Sequence, residues 1–350
     1  MEVDQGTPKG PVAFGSPAWF ALFKHMCAEA HRLGLGVSMN NDAGWCGSGG
    51  PWITPELSMQ KLVWSETNVS GPGPFAGRLP QPKANLSYYR DIAVFAVPTP
   101  PGEERKLTEA APTVKTSLAA TNLDWHELFD GDPHTVIRFP KPQPDHPQFI
   151  ELEFPRPFTA RRFKLVAPSL TSHKTCHGEI QTSEDGRTFR TIHEFDADAG
   201  TLSASFANVT ARFFRINFSK SDQYLEHLTI GEVELSPEFR IAGIESKALF
   251  VAQKDEVADR PNATSVADQS AVERAQVLDV TAHLRDGFLK WDAPPGNWTL
   301  LRFGHTSTGE TNQPAPATGQ GLECDKLSKA AAEAAFAGLM GKLIATVGPC

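Results

Sequence analysis

Two kinds of hydrophobic spacing divide the chain. Residues 16–41 carry a helical one: Trp19, Phe23, Met26, Ala30 and Leu33 recur at three- and four-residue steps and predict one apolar face. Ser16 supplies an N-cap, Pro17 the first helical position, and Gly34 the stop. LGVSMN then reads as a short buried strand. PELSMQKLVWSETNVSG gives a further turn of helix and a strand around Lys61–Val69, and YRDIAVFAVP (89–98) is another apolar strand. A helix alternating with buried strands predicts a parallel sheet or barrel, with too few units here to close one. Residues 1–98 therefore read as the first part of a (β/α) barrel.

Residues 99–116 are Pro-rich and charged and read as a linker. From 117 to 237 the period shortens to two. FIELEF, RRFKLVAP, EIQTSEDG, FRTIHEF, ARFFRINF and LTIGEVEL are short strands at regular spacing, which predicts an antiparallel β-sandwich. Residues 238–297 form a β-rich connection through KALFVAQK, AQVLDVTAHL and GFLKWDAP. The strand–loop–helix pattern returns over 298–350. WTLLRFGHTSTG reads as a buried strand and GLECDKL (321–327) as a loop. KLSKAAAEAAFAGLMGKLIATV (326–347) is an alanine-rich helix with Leu327, Ala331, Ala334, Ala335, Leu339 and Leu343 on one face. One α/β domain interrupted by an inserted β module accounts for this order.

Composition narrows the function classes. The 350 residues are 40% hydrophobic and 21% charged, enough for two or three globular domains. A net charge of −8 with no basic stripe argues against nucleic acid as a partner. No apolar run is long enough to span a bilayer, and the polar opening MEVDQGTPKGP is not a signal peptide. The chain reads as incomplete, because it opens without a recognisable first element and stops at GPC just after a helix. The five cysteines are scattered and form no CxxC pair, so a zinc ribbon is not supported. Asn68, Asn85, Asn208, Asn217, Asn262 and Asn297 lie in N-x-S/T sequons, a faint sign of secretion.

Polar chemistry gathers in two places. NNDAGWCGSGGPW follows the first predicted strand and brings Asn40, Asn41, Asp42, Trp45 and Trp52 onto a glycine-rich loop. Amides, a carboxylate and indoles at a strand's C-terminal end suit a polar ring-shaped ligand such as a sugar. GLECDKL places Glu323, Asp325 and Lys326 just before a helix. A carboxylate there can serve as a general acid, a metal ligand or an acceptor for sugar hydroxyls, or it can simply cap the helix; the residues alone leave these open. His173, Cys176 and His177 fit a solvated loop better than a soft-metal cluster. The chain has no G-x-S-x-G elbow, GxGxxG or P-loop.

LFDGDPHT, FIELEFPRPFTARRFKLV, SEDGRTFRTI, FFRINF and IGEVEL, in that order, resemble a discoidin-like, galactose-binding jelly roll. In that family the opening loop and a C-terminal acidic residue often hold a structural Ca²⁺. The matching positions are Asp130, Asp132, Thr135 and Glu232, all hard oxygen donors.

PAWFALFKHMCAEAHRLGLGVSMNNDAGWCGSGGPWITPELSMQKLVWSET and GNWTLLRFGHTSTGETNQPAPATGQGLECDKLSKAA resemble two blocks of glycoside hydrolase family 106, the α-L-rhamnosidases. The resemblance implies an inverting glycosidase on a (β/α)8 barrel with accessory β-sandwich domains, acting on terminal α-L-rhamnose of plant or pectic glycans. It implies a Ca²⁺ engaging the sugar and two carboxylates set apart to admit a water. Matching positions in this chain are Asn40, Asn41, Trp45, Glu323, Asp325 and Lys326. They belong to the sugar- or metal-binding shell, with Glu323 alone nominated for a catalytic part. A complete acid/base pair is not identifiable, so the isolated chain is expected to be weakly active or inactive. Such enzymes are usually exported, to the periplasm or the cell exterior. The reading of a different class is a non-catalytic carbohydrate-binding protein that works through the sandwich.

Overall fold

The computed structural model describes residues 10–38, 48–100, 107, 109–119, 124–130, 135–238, 256–258, 271–312 and 315–348. Strands dominate, and the chain divides into two compact units: Met1–Val97 with Leu278–Cys350, and Pro98–Val277.

The first unit is organised by one long antiparallel ribbon. Gln60–Arg78 pairs with Phe288–Ser307 from Ser307↔Gln60 to Phe288↔Arg78, with one irregularity between Ala293 and Gly296. Residues alternate along both strands, so every second side chain reaches the same face. Leu289, Trp291, Ala293, Trp298 and Leu300 point inward and meet Val94 and Ala96 of the strand Arg90–Pro98, together with Leu79 and Val280. Trp291 and Trp298 contact edge to face across the irregularity, at 5.7 Å and 90°. The Trp298 indole N–H donates to the Pro294 carbonyl at 2.9 Å, which satisfies the polar tip of a nearly buried ring.

Several polar groups buried in this unit are paired, while the Trp52 indole N–H has no partner among the described residues. Thr306 donates to the Tyr88 carbonyl at 2.7 Å and accepts from the Asn85 N–H at 2.8 Å. The Arg302 guanidinium grips both oxygens of Asp91, at 2.7 and 2.9 Å. That grip holds the Asp91 carboxyl below its usual range and pushes Arg302 up. Burial, and then its hydrogen bond to Asp91, pushes the Tyr89 phenol up.

Three expectations need correction here. The parallel sheet expected for the α/β unit does not form among the described residues. Gly49–Gly50 with Leu322–Glu323, Leu278–Asp279 with Arg90–Pro98, Leu284–Arg285 with Phe288–Ser307, and the ribbon itself are all antiparallel. No sheet closes. Two long alternating strands satisfy each other's backbone directly, so no helical crossover is needed. Second, the helix α1 spans Pro17–Arg32 with Ser16 accepting from the Trp19 N–H at 3.2 Å, but none of its residues is buried. Leu35 and Val37, expected in a buried strand, are 63% and 48% exposed and unpaired with any described strand. Burial needs a surface to pack on, and local spacing does not supply one. Third, the alanine-rich helix is two helices, α2 Lys329–Gly338 and α3 Met340–Val347, broken at Leu339. A Cβ at Gly338 would collide with the Trp52 indole, so the break sits where the helix backbone presses on that ring. No single helix among the described residues is long and apolar enough to cross a membrane.

The second unit holds a seven-stranded sheet and a two-stranded one. Along the main path the order is Glu232–Ser236, Gln148–Val166, Thr201–Ser221, Cys176–Ser183 and Arg190–Ala197, with Thr113–Thr116 and Glu256–Ala258 added at Gln148–Val166 and Thr201–Ser221. The smaller sheet pairs Ile137–Pro140 with His227–Ile230. Thr113–Thr116 lies inside the stretch read as a linker, and it pairs with Ile150–Glu153.

The alternation in FIELEF and ARFFRINF explains the layering. Ile150, Leu152, Phe154, Phe214, Ile216 and Phe218 face one side and form a single core with Ile137, Phe139, Leu228 and Ile230 of the smaller sheet. Phe154 stacks on Phe158 at 4.5 Å and meets Phe214 edge-on at 5.9 Å. On the other face Arg215 bonds Glu151 at 2.6 Å and lies 3.5 Å from the Phe189 ring centroid. The hairpin SEDGRT closes on Asp185, whose carboxyl accepts from the Thr188 and Arg187 N–H groups. Those bonds pull its pKa down to about 2.

Phe214→Ala would open a cavity in a fully buried aromatic cluster. It is expected to cost about 3–5 kcal/mol, read as a lower urea midpoint. Asp91→Asn should cost about 2 kcal/mol at pH 7, because the Arg302 guanidinium loses its ionic acceptor. Since folding depresses the Asp91 pKa, its contribution is complete above the ordinary carboxyl value and is lost as pH falls through the lower folded value. The gap between wild type and Asp91→Asn in urea titrations should therefore narrow below about pH 4.

Candidate functional site

The short pairing of Gly49–Gly50 with Leu322–Glu323 builds the site. It depends on backbones that touch: a Cβ at Gly321 would collide with the Gly50 carbonyl. Asn312, almost fully buried, organises the loop before it. Its amide donates to the Gly319 carbonyl at 3.0 Å and accepts from the Gly321 N–H at 2.8 Å. Three successive N–H groups then tie the strand to three separate segments. Glu323 donates to the Glu310 carbonyl at 3.0 Å, Cys324 to Ser48 at 3.2 Å and Asp325 to Leu57 at 2.9 Å. Beneath them Ile53, Cys324 and Ala331 form a small core with Trp52, Leu57 and Leu322.

Glu323 is thereby held in one orientation, its side chain 14% exposed. Oε2 accepts from the Ser48 hydroxyl at 2.8 Å and from Lys326 Nζ at 3.1 Å. Oε1 has no hydrogen-bond partner among the described residues. Asp325 Oδ1 accepts from the Leu327 N–H at 2.9 Å and its carbonyl from the Ser328 N–H at 3.1 Å, which turns the chain into α2. Ser328 is the cap, accepting from the Ala331 N–H at 3.4 Å. Capping therefore accounts for Asp325 and Ser328 and leaves Glu323 unexplained by helix formation. Its chemistry is that of a fixed carboxylate with one oxygen clamped by an ammonium and a hydroxyl, and the other available to an incoming donor.

The structure brings Glu323, Asp325 and Lys326 together. Asn40, Asn41 and Trp45 lie outside the described residues, as does Asp132. Among the expected Ca²⁺ donors, the Thr135 hydroxyl donates to Asp130 Oδ2 at 3.0 Å, and Glu232 opens the strand Glu232–Ser236. Asp130 and Thr135 are hard oxygens already in register, which fits Ca²⁺ by donor chemistry. No group of three or more His, Cys, Asp or Glu side chains in a metal-holding arrangement occurs among the described residues. Cys176 is buried, which pushes its thiol up to about 12, and His177 pairs with Asp196 at 2.8 Å, so these residues are structural. Ser48 and Asn312 carry no periodic signal. Ser48 meets Glu323 across 275 positions of sequence, a separation that only the fold closes. The Gln60 carbonyl oxygen facing His305 Nδ1 at 3.0 Å, and Ser58 bonded to Ser307 at 2.7 Å, belong to the same class.

The family model for α-L-rhamnosidases of glycoside hydrolase family 106 matches residues 3–350. A rhamnosidase structure from Novosphingobium sp. PP1Y superposes with a TM-score of 0.79 at 26% identity, covering 99% of this chain and 33% of that one. A protein of Formosa agariphila described as a "Putative beta-glucuronidase" is 26% identical over 339 residues, 97% of this chain and 17% of that protein. The chain thus spans a third or less of the length of these relatives. With all but its first two residues matched by the family model, the chain belongs to glycoside hydrolase family 106, the α-L-rhamnosidase family.

Proposed function

We propose that this chain forms part of an inverting glycoside hydrolase that removes terminal α-L-rhamnose from plant or pectic glycans. The observation that carries the reading is its similarity, along 99% of its length, to a rhamnosidase. α1 and α2 are the elements we assign to a (β/α)8 barrel, with the long antiparallel ribbon outside it. We read the second unit as a galactose-binding-like jelly-roll sandwich. An exported protein, periplasmic or extracellular, suits a polymeric substrate.

Inverting hydrolysis needs two carboxyl groups with room for a water between them. One protonates the leaving glycosidic oxygen as its bond to the anomeric carbon breaks. The other takes a proton from the water whose oxygen bonds to that carbon. Glu323 is the carboxylate of this chain that we assign to the sugar. With Oε2 held by Ser48 and Lys326, Oε1 is the oxygen we assign to accept a hydrogen bond from the sugar. Asn40, Asn41, Trp45, Asp325 and Lys326 are its proposed neighbours in sugar binding. We further propose that Asp130, Asp132, Thr135 and Glu232 hold a structural Ca²⁺.

Separate compactness of residues 98–277 favours a second reading, in which the sandwich itself binds glycan and the chain is non-catalytic.

Glu323→Gln in the full chain is expected to weaken rhamnose binding about tenfold, or about 1.4 kcal/mol, by titration calorimetry. The unfolding midpoint should change little, because Ser48 and Lys326 can still donate to the amide oxygen. Unaltered affinity in the variant would remove Glu323 from the site. Calcium at about 1 mM should raise the Tm by about 4 °C, with chelation reversing the gain and Asp130→Ala abolishing it. A Tm indifferent to calcium would rule out the structural ion.

A further inference from the structure

The first unit carries a cavity of about 530 Å³ that the reading above does not use. Arg78, Tyr89, Arg90, Asp91, Gly287 and Arg302 are among its lining residues. The volume falls within the rough 300–1,000 Å³ of small-molecule sites.

Its floor is fixed. The Arg302 side chain is 7% exposed, and its Nε and Nη2 bind the two oxygens of Asp91. Nη1 donates to the Leu79 carbonyl at 2.8 Å. Arg302 also shares a side-chain hydrogen bond with Tyr89, so most of its five N–H groups are taken. Arg78 donates to the Asp286 carbonyl at 2.9 Å, and Arg90 to the Tyr89 carbonyl at 3.1 Å. Neither forms an ion pair among the described residues. Gly287, at φ +77°, lets two of these groups converge: a Cβ there would stand 3.2 Å from Nη1 of both Arg78 and Arg302. Three arginines and two aspartates, Asp91 and Asp286, therefore line one cavity, and among the described residues Asp91 supplies the only carboxylate bonded to any of the arginines. In a chain of net charge −8 this is a local excess of positive charge.

Like charges held side by side attract an anion, and the planar fork of arginine matches a carboxylate. The Tyr89 ring, 5.5 Å from the Arg302 guanidinium carbon, adds an apolar surface for the body of a ligand.

We propose that this cavity binds the carboxylate of an acidic sugar, a hexuronate, with Arg78 and Arg90 as its direct partners and the Arg302–Asp91 pair as the rigid floor. That the ligand is a sugar rests on the glycoside hydrolase reading; that it bears a carboxylate rests on the arginines. The site adds recognition of a charged unit to an enzyme otherwise assigned to neutral rhamnose.

Titration calorimetry on the full chain tests this with galacturonate, galactose and inorganic phosphate as probes. Galacturonate should bind at least tenfold more tightly than galactose, and its affinity should fall as salt rises. Arg78→Gln and Arg90→Gln should each weaken it about tenfold with the unfolding midpoint retained, and the double variant should abolish it. Equal affinity for galactose, phosphate binding as tight as galacturonate, no saturable binding, or full affinity in both single variants would overturn the proposal. Rhamnose affinity, measured on the same samples, reports on Glu323 separately. Its loss with galacturonate binding retained sinks the rhamnose assignment and leaves the acidic site standing.

Discussion

The antiparallel pairing of Gln60–Arg78 with Phe288–Ser307 is the constraint on which the first unit depends. These strands lie on either side of residues 98–277 in sequence, yet they share one continuous ladder. The ladder satisfies the backbone of both strands and aligns Leu289, Trp291, Trp298 and Leu300 on one face, where burial stabilises the unit. It also carries Gln60, His305 and Ser307 at one end, with Arg302 opposite Ser65, and Arg78 opposite Phe288 at the other end. Glu323 is placed by the separate pairing of Gly49–Gly50 with Leu322–Glu323, whereas Arg78 and Arg302 owe their faces to the register of the ribbon. A slip of one residue would send each of them to the opposite face.

Polar burial is what distinguishes the two groups. Around Arg302 the charge is matched in part, by one bidentate carboxylate, one carbonyl and the Tyr89 side chain, beside a cavity. Around Glu323 the balance is reversed: one oxygen is saturated by Ser48 and Lys326 and the other has no described partner. Both arrangements are held by backbone contacts, Gly287 in one case and the Gly50–Gly321 approach in the other, where any side chain would collide or crowd. Residues fixed this way lose little orientational freedom on meeting a ligand, which is the physical basis of preorganised recognition.

Much of the local structure was legible in the sequence. Ser16 and Pro17 mark the start of α1, and the alternation in FIELEF, ARFFRINF and LTIGEVEL marks strands, because these signals are short-range and steric. GLECDKL pointed to Glu323 through its place before a helix. What went unread has a common cause. The exposure of Leu35 and Val37, the antiparallel pairing in place of a parallel one, and the break at Leu339 are set by which surface each segment meets. Hydrophobic periodicity says that a face is apolar, and it is silent on whether a partner covers it.

The family, the helix caps and the period-two strands are written locally in the chain, because they rest on residue identity and neighbours a few positions away. That Ser48 clamps Glu323 across 275 positions, and that Arg78 and Arg302 converge beside Gly287, emerges only once the chain has folded. Such contacts follow from strand register and close backbone approach. Those are properties of pairs of distant segments, and no local pattern encodes them.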